Sequence, residues 1–290
     1  MVDLHTHSQA SDGSLTPSEL VKKAADIGLT AIALTDHDTV SGLEEFISQG
    51  KKLGLTTVSG VELSIDSKLP EKGHLHMLGL FIDMRSAHLT STLEFLVHER
   101  KRRAEKIIKI LNKLGIPITL DELHTLVGES TIGRPHIAQL LIKYNLVSSI
   151  QEAFDKYLGE GQPAYVPKVK LSEEDAIALI HRAGGIAILA HPHFMNFQRW
   201  EDLKAKILEL SNLGLDGVEV FYPGMPQELQ EKLTQLASEI GLVISGGTDF
   251  HGASKPETKL GFGTSDHFEV PDEVFYQLRD FHQQQIQKRQ

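Results

Sequence analysis

The chain has 290 residues, of which 40% are apolar and 23% charged, a composition typical of one large globular domain or of a domain with an insertion. Its formal net charge of −10 argues against binding of duplex DNA, which requires Lys and Arg to neutralise phosphates. The absence of cysteine excludes disulfides and thiolate metal sites, so any metal must be held by imidazole and oxygen ligands.

The sequence shows no targeting or membrane segment. Met1 is followed directly by Val2-Asp3-Leu4-His5, without a basic stretch or an apolar leader. No run of about 18 apolar residues occurs that could cross a bilayer. We therefore expect a cytoplasmic protein that does not bind membranes.

Short β-rich runs alternate with amphipathic stretches along most of the chain. Strands are predicted at residues 2–7, 31–35, 56–61, 74–82, 186–190, 217–221 and 242–245. Helices are predicted at residues 17–27, 40–53, 172–183, 201–213, 226–240 and 271–287. This alternation favours a parallel sheet, either open or closed into a barrel.

Residues 86–165 interrupt the alternation with a purely helical pattern. One buried stripe is predicted from apolar residues at helical spacing, namely Ala104, Ile107, Ile108, Leu111 and Leu114. The opposite face is basic and comprises Arg100, Lys101, Arg102, Arg103, Lys106, Lys109 and Lys113. Such a face is most often solvated surface, and the alternative is a lid or insertion that contributes to an anionic substrate site.

The predicted strand ends carry histidines and carboxylates. His5 and His7 point to the same side of a strand and can meet one metal, although roughly one such pair is expected by chance among 15 histidines. Further examples at or near strand ends are Asp36-His37-Asp38, Glu62, His76, His191 and Asp249-Phe250-His251. Strand ends are where α/β proteins place active sites, and buried charges are costly unless they are paired or bound to metal. The sequence therefore predicts a multi-metal centre.

Segments of the chain resemble the motifs of the PHP (polymerase and histidinol phosphatase) family. They are Asp3-Leu4-His5-Thr6-His7-Ser8, Ser11-Asp12-Gly13, Thr35-Asp36-His37-Asp38 and Gly247-Thr248-Asp249-Phe250-His251-Gly252. The resemblance covers nearly all of the chain and implies an α/β protein with a distorted (β/α)7, TIM-like barrel. It further implies a discontinuous metal-binding barrel of residues 1–85 and 166–290, with a helical insertion of residues 86–165 that covers the active site.

Matched position by position, the resemblance implies up to three divalent metal ions. The first would be held by His5, His7, Glu62 and Asp249, the second by Glu62, His76 and His191, and the third by Asp12, His37 and His251. Glu62 would bridge two ions, since a carboxylate offers two oxygens. His76 is preferred to His74 because His76-Met77-Leu78-Gly79 resembles the family's fourth-strand motif. Manganese is the first expectation, with iron, zinc or magnesium as alternatives.

The helical block narrows the resemblance to stand-alone PHP phosphoesterases. Thr131-Ile132-Gly133-Arg134-Pro135-His136 and Tyr165-Val166-Pro167-Lys168 resemble that subgroup, whose members act on nucleoside 3′,5′-bisphosphates and trim short RNAs from the 5′ end. Arg134 is the candidate phosphate clamp, because guanidinium binds phosphate oxygens in a bidentate manner. His136 and Lys168 are further candidates for substrate binding. Gly133-Arg134-Pro135 is also a common helix start, and helix N-termini favour anions.

One segment departs from the subgroup's pattern. His191-Pro192-His193-Phe194 stands where the subgroup often has His-Pro-Gly-Arg. Arg199 is a candidate to replace the missing arginine, and His193 is a candidate proton donor to the leaving alkoxide. We expect a metal-dependent hydrolase of phosphoric esters whose substrate is a small phosphorylated nucleotide or the 5′ end of a short RNA. The alternatives are a histidinol-phosphate phosphatase, a non-catalytic metal-binding PHP module, and an RNA-binding adaptor that uses the basic helix.

Overall fold

The computed structural model describes residues 1–71, 73–128, 132–265 and 268–289. Thr131, which belongs to one of the predicted substrate segments, lies outside these residues. The chain forms two compact units, a larger one of Met1–Ser91 with Lys170–Gln290 and a smaller one of Thr92–Val169. No helix within the described ranges is long and apolar enough to cross a membrane.

The larger unit is built around a curled sheet. Its strands are β1 (Val2–Asp3), β2 (Ala31–Leu34), β3 (Thr56–Asp66), β4 (Leu75–Leu80), β5 (Leu171–Ser172), β6 (Ile186–Leu189), β7 (Gly217–Phe221) and β8 (Val243–Gly246). Their order is β1-β2-β3-β4-β6-β7-β8, with β5 paired to β3. Backbone hydrogen bonds from Leu4 N to Gly246 O (3.1 Å) and from Asp249 N to His5 O (2.8 Å) join the last strand back to the first. The distorted, TIM-like barrel implied by the motif resemblance is confirmed.

Strand β4 departs from the parallel sheet that the alternation of elements predicts. It pairs antiparallel with β3 and with β6, whereas β1–β2, β2–β3, β6–β7 and β7–β8 pair parallel. A parallel pair needs a long crossover, and only residues 67–74 separate β3 from β4, so the chain must turn back. His76 therefore lies near the amino end of β4, at the same edge of the sheet as the carboxyl ends of β3 and β6.

Helices occur in both units, and all of the described strands belong to the larger one. They are α1 (Pro17–Asp26), α2 (Leu43–Leu53), α3 (Ala87–Lys113), α4 (Leu120–Val127), α5 (Arg134–Lys143), α6 (Ile150–Ala153), α7 (Glu173–Arg182), α8 (Trp200–Asn212), α9 (Gln227–Ile240) and α10 (Asp272–Arg289). Helix α1 begins with a capping box, in which the Thr16 hydroxyl accepts from Glu19 N and the Glu19 carboxylate accepts from Thr16 N. The Thr16-Pro17-Ser18-Glu19 segment thus starts a helix as its sequence predicts.

The smaller unit has a hydrophobic core of its own. Ala104, Ile107, Ile108 and Leu111 of α3 are buried in it, as their helical spacing predicts. Leu114, which was expected to extend this stripe, is instead 49% exposed. The helix ends at Lys113, and the following turn has Gly115 in the left-handed region (φ 82°), so Leu114 no longer follows the helical periodicity.

Candidate metal centre

The His5–His7 segment is held in place by the two parts of the chain beside it. His7 N donates to Phe250 O at 2.9 Å, and Thr35 N donates to Thr6 O at 2.9 Å. This extended segment directs the side chains of His5 and His7 to the same side, where both are completely buried. The alternation predicted from the sequence therefore brings the two imidazoles together.

A first group of donor atoms comprises His5, His7, Glu62 and Asp249. Glu62 Oε2 lies 3.3 Å from His5 Nε2 and 3.1 Å from His7 Nε2. Asp249 Oδ1 lies 3.5 Å from His5 Nε2 and 3.1 Å from His7 Nε2. Four ligands at about 2.1 Å from a tetrahedral metal would be separated by about 3.4 Å, so the spacing of these atoms fits a common ion.

A second group of donor atoms surrounds Oε1, the other carboxylate oxygen of Glu62. Its Oε1 is 2.7 Å from His76 Nδ1 and 3.0 Å from His191 Nε2. His74 lies beside these residues, with its ring 5.1 Å from that of His76. The close approach to Glu62 is made by His76, and His74, His76 and His191 together form a further group of donor atoms that lie near one another.

A third group surrounds the half-exposed Asp12. His251 Nε2 lies 3.3 Å from Asp12 Oδ1, and His37 Nε2 lies 3.7 Å from Asp12 Oδ2. His37 Nδ1 lies 3.1 Å from Glu62 Oε2, which connects this group to the first. All of the predicted metal ligands are thus brought together at one edge of the barrel.

Several buried donor atoms of the site make no hydrogen bond within the described part of the chain. They are His5 Nε2, both ring nitrogens of His7, His37 Nδ1, Glu62 Oε2 and His191 Nδ1. A buried polar atom without a partner costs about 1–3 kcal/mol, so a cluster of such atoms is costly unless a cation completes it. The imidazole and carboxylate donors fit divalent metal ions such as manganese, iron or zinc.

The charges of the site are strongly coupled. Burial lowers the pKa of His5, but the carboxylates of Glu219, Glu62 and Asp249 outweigh this effect and hold it well above the ordinary value. Burial raises the pKa of Glu62, and the surrounding histidines outweigh it, so that this pKa lies well below the usual range. A divalent cation binds to such a set by displacing the shared protons, because imidazole ligates as the neutral ring.

The carboxylate of Glu219 contacts two of the candidate ligands. Its Oε1 lies 3.1 Å from His5 Nδ1, and its Oε2 accepts from the backbone N of His191 at 2.7 Å. With Nδ1–H directed to a carboxylate, His5 presents Nε2 to the metal position. Glu219 lies within β7 and outside the sequence motifs of the site, and its two contacts position the His5 ring and the backbone of His191.

Two further side chains contact the carboxylate of Asp249. The Tyr222 hydroxyl donates to Asp249 Oδ2 at 2.8 Å, and Lys255 Nζ lies 2.7 Å from the same oxygen. These contacts leave Oδ1 directed towards His5 and His7. Sequence reasoning missed both residues, although Tyr222 directly follows β7 and Lys255 lies nine positions after the end of β8.

The backbone is strained at two candidate ligands. His191 has a φ of 28° and Asp249 a φ of 54°, both in the left-handed region. Aspartate tolerates this region better than most residues, whereas histidine at such a value costs of order 1–3 kcal/mol. Strain of this kind persists only where surrounding contacts enforce it, as the hydrogen bond from His191 N to Glu219 does.

The predicted substrate residues are divided between the two units. Arg134, His136 and Lys168 belong to the smaller unit, and His193 and Arg199 belong to the larger one. His136 Nδ1 accepts from Gly133 N at 3.0 Å and so caps α5, while Lys168 is half-buried. Arg199 is 69% exposed, with its Nε 3.6 Å from Asp202 Oδ2.

Comparison with known proteins gives consistent matches. Residues 3–214 match the model of the PHP domain family. The chain is 37% identical over 250 residues to a 5′-3′ exoribonuclease of Haemophilus influenzae, covering 86% of this chain and 89% of the relative. It is 33% identical over 261 residues to a 3′,5′-nucleoside bisphosphate phosphatase of Chromobacterium violaceum, covering 90% of each. A solved structure from Bifidobacterium adolescentis, described as a metal-dependent phosphoesterase, superposes with a TM-score of 0.81 at 30% identity, over 96% of this chain and 94% of that one.

The barrel, the clustered donors and these matches together define a metal-dependent hydrolase of phosphoric esters. The chain belongs to the PHP domain family, as its motifs predicted.

Proposed function

We propose that this phosphoesterase hydrolyses phosphate monoesters of nucleotides, such as nucleoside 3′,5′-bisphosphates, and that it also trims short RNAs from the 5′ end by cleaving phosphodiester bonds. The observation that carries the proposal is the meeting of the donor groups on Glu62, whose two oxygens face different sets of histidines. The nucleotide substrate is supported by the relatives, one a nucleoside bisphosphate phosphatase and another an exoribonuclease. These names do not favour histidinol phosphate.

The proposed centre takes up to three divalent ions, with manganese as the first expectation. His5, His7, Glu62 and Asp249 would hold the first ion, which is a group of donors that the structure brings together. As the sequence motifs imply, Glu62, His76 and His191 would hold the second ion, and Asp12, His37 and His251 the third. When bound, divalent ions stabilise negative charge on a phosphate and make water a stronger acid at neutral pH. The carboxylates and imidazoles of the chain fix where these charges lie.

Arg134 is proposed to bind a phosphate group of the substrate. Its Nη1 donates to Leu158 O at 3.0 Å, and its guanidinium lies 5.0 Å from the ring centre of Phe154, which together hold it at the start of α5. Burial, followed by the nearby charge of Arg134, lowers the pKa of Arg103 to about 10. Guanidinium groups gathered in this way repel each other, and an anion bound between them would relieve the repulsion.

His193 is proposed to contact the oxygen that leaves when the ester is cleaved. Its ring centre lies 4.9 Å from that of Tyr222, which in turn donates to Asp249. Its Nδ1 is buried and has no hydrogen-bond partner among the described residues. Burial, and then the neighbouring charge of His191, lowers the pKa of His193 to about 4, so the ring is neutral at neutral pH. It can donate a hydrogen bond to the leaving oxygen through its N–H group.

The proposal is tested by phosphate release from purified protein loaded with manganese. We expect faster turnover of adenosine 3′,5′-bisphosphate than of histidinol phosphate. After the metal has been removed with a chelator, we expect no phosphate release from either substrate. Faster hydrolysis of histidinol phosphate would contradict the nucleotide substrate. Absence of phosphate release from every monoester would favour a non-catalytic module, and RNA binding that survives both chelation and His37→Ala would favour an adaptor.

A further inference from the structure

A cavity of about 290 Å³ opens in the larger unit, and its lining includes Pro192 and His193, the two residues that follow the candidate ligand His191 in the chain. Its walls come from the segment that follows β6 and from the start of α9, and they include His193, Phe197, Gln198, Trp200, Pro226 and Lys232. Its volume is close to the lower end, about 300 Å³, of the range for small-molecule sites. The lining combines aromatic rings, an amide and a cationic side chain.

Two side chains connect the cavity to the candidate ligands. His193 lines the cavity and packs against Tyr222, with ring centres 4.9 Å apart. The Tyr222 hydroxyl donates to Asp249 at 2.8 Å. The cavity is therefore separated from a candidate metal ligand by these two side chains.

Trp200 contributes a large aromatic surface to the cavity wall. The indole is half-buried at the first residue of α8, and Lys232 Nζ lies 5.9 Å from its ring centre. Lys232 is itself paired with Glu228, whose carboxylate lies 2.6 Å from Nζ and is 80% exposed. A flat indole with one polar neighbour is a surface on which a nucleobase stacks, and the Gln198 amide can both donate to and accept from a base edge.

We propose that this cavity binds the nucleobase of the substrate, which stacks on Trp200 while the phosphate lies at the metal centre. This inference rests on the proposed nucleotide substrate and extends it, because it assigns the base a site of its own. A separate site for the base would allow this phosphoesterase to distinguish a nucleotide from a phosphate ester of similar charge that lacks a base.

Trp200 is the single tryptophan of the sequence, so fluorescence excited selectively at tryptophan, and not at the five tyrosines, reports on this cavity alone. The experiment titrates manganese-loaded protein with adenosine 5′-monophosphate and, in parallel, with ribose 5-phosphate. We expect saturable quenching by the nucleotide and none by the sugar phosphate, because only the nucleotide carries a ring that can stack. Equal responses to the two ligands, or no response to the nucleotide, would overturn the inference.

A kinetic experiment tests the same point without fluorescence. The ratio of kcat/KM for adenosine 3′,5′-bisphosphate to that for ribose 5-phosphate should fall about tenfold in Trp200→Ala, mainly through KM for the nucleotide. Trp200→Phe should restore most of the ratio, since it keeps an aromatic face. Tyr276→Ala, which removes a 41% exposed aromatic residue of α10, serves as the control and should leave the ratio unchanged.

The outcomes separate the inference from the proposed function. If the unmodified protein hydrolyses sugar phosphates but no nucleotide, the proposed function fails. If it hydrolyses nucleotides and Trp200→Ala leaves the ratio unchanged, the proposed function stands and the base site is wrong.

Discussion

Glu62 connects the donor groups of the site because each of its oxygens faces a different set of imidazoles. Oε1 lies 2.7 Å from His76 Nδ1 and 3.0 Å from His191 Nε2. Oε2 lies 3.3 Å from His5 Nε2 and 3.1 Å from His7 Nε2. A carboxylate can serve both sides at once, whereas an amide of the same shape offers a single oxygen and no charge. This geometry is the physical basis for a bridging role.

Replacement of Glu219 tests whether the support of His5 matters for metal binding. Glu219→Gln retains the size of the side chain but removes the negative acceptor for His5 Nδ1–H. Loss of such a support typically weakens metal affinity or activity about 10- to 100-fold, and we expect this range. Metal content after dialysis and the rate of phosphate release measure the effect.

The matched control for this variant is Glu231→Gln. Glu231 is exposed on α9 and accepts a hydrogen bond from Gln227, so its replacement should change neither quantity. Unchanged metal affinity in Glu219→Gln would show that His5 is oriented without the carboxylate.

Sequence motifs locate metal ligands better than the residues that support them. His5, Asp249 and their partners stand in short motifs whose spacing is tied to strand ends. Glu219 and Tyr222 act through contacts with residues that are distant in sequence, His5 at a separation of 214 residues and Asp249 at a separation of 27 residues. No local pattern marks such contacts, because they depend on how distant strands are brought together.

At the level of elements, the site depends on a close approach between the segments that follow β1 and β8. A Cβ atom placed on Gly247 would lie 2.5 Å from the Cβ of His5 and still closer to its backbone nitrogen. Only glycine allows the two segments to come this near. The same segments exchange the hydrogen bonds of Asp249 N with His5 O and of His7 N with Phe250 O.

Gly247→Ala should therefore separate these segments and disturb both histidines. We expect a loss of about 1–3 kcal/mol in the free energy of unfolding, together with weaker metal binding. Denaturant unfolding and metal titration measure the two effects. Gly42→Ala is the control, because its Cβ would meet three side-chain atoms at 3.1–3.2 Å, a milder overlap than that of a Cβ on Gly247 with the His5 backbone. Equal stability of both variants would contradict the argument.

Periodicity predicts where the elements of this chain lie but not how they pair. The fourth strand was expected in the correct place, and its antiparallel direction follows only from the short connection to β3. Similarly, the apolar stripe of α3 was correct up to Leu111, whereas the end of the helix at Lys113 excludes Leu114. Strand direction and helix termination depend on the chain between elements, where hydrophobic spacing carries little information.

At the level of the whole molecule, the chain has two compact units with separate stabilising features. Leu111 and its neighbours form a core within the smaller unit, and Val2 and Leu80 belong to a core within the larger one. Each unit also has a helix that begins with a capping box, at Thr16 in α1 and at Thr119 in α4. These matched threonines provide a way to perturb either unit by a similar amount.

Metal removal should act on the larger unit, because all of the candidate ligands belong to it. A ligand at 100 times its Kd stabilises the folded state by about 2.7 kcal/mol, so chelation should lower the unfolding temperature of that unit by several degrees. Scanning calorimetry with and without a chelator measures the shift.

Thr16→Ala and Thr119→Ala, each expected to cost about 1 kcal/mol, identify which transition belongs to which unit. The transition that responds to Thr16→Ala should move on chelation, and that which responds to Thr119→Ala should stay in place. If one transition responds to both variants and to the chelator, the two units unfold as one, and the metal centre stabilises the helical unit as well as the barrel.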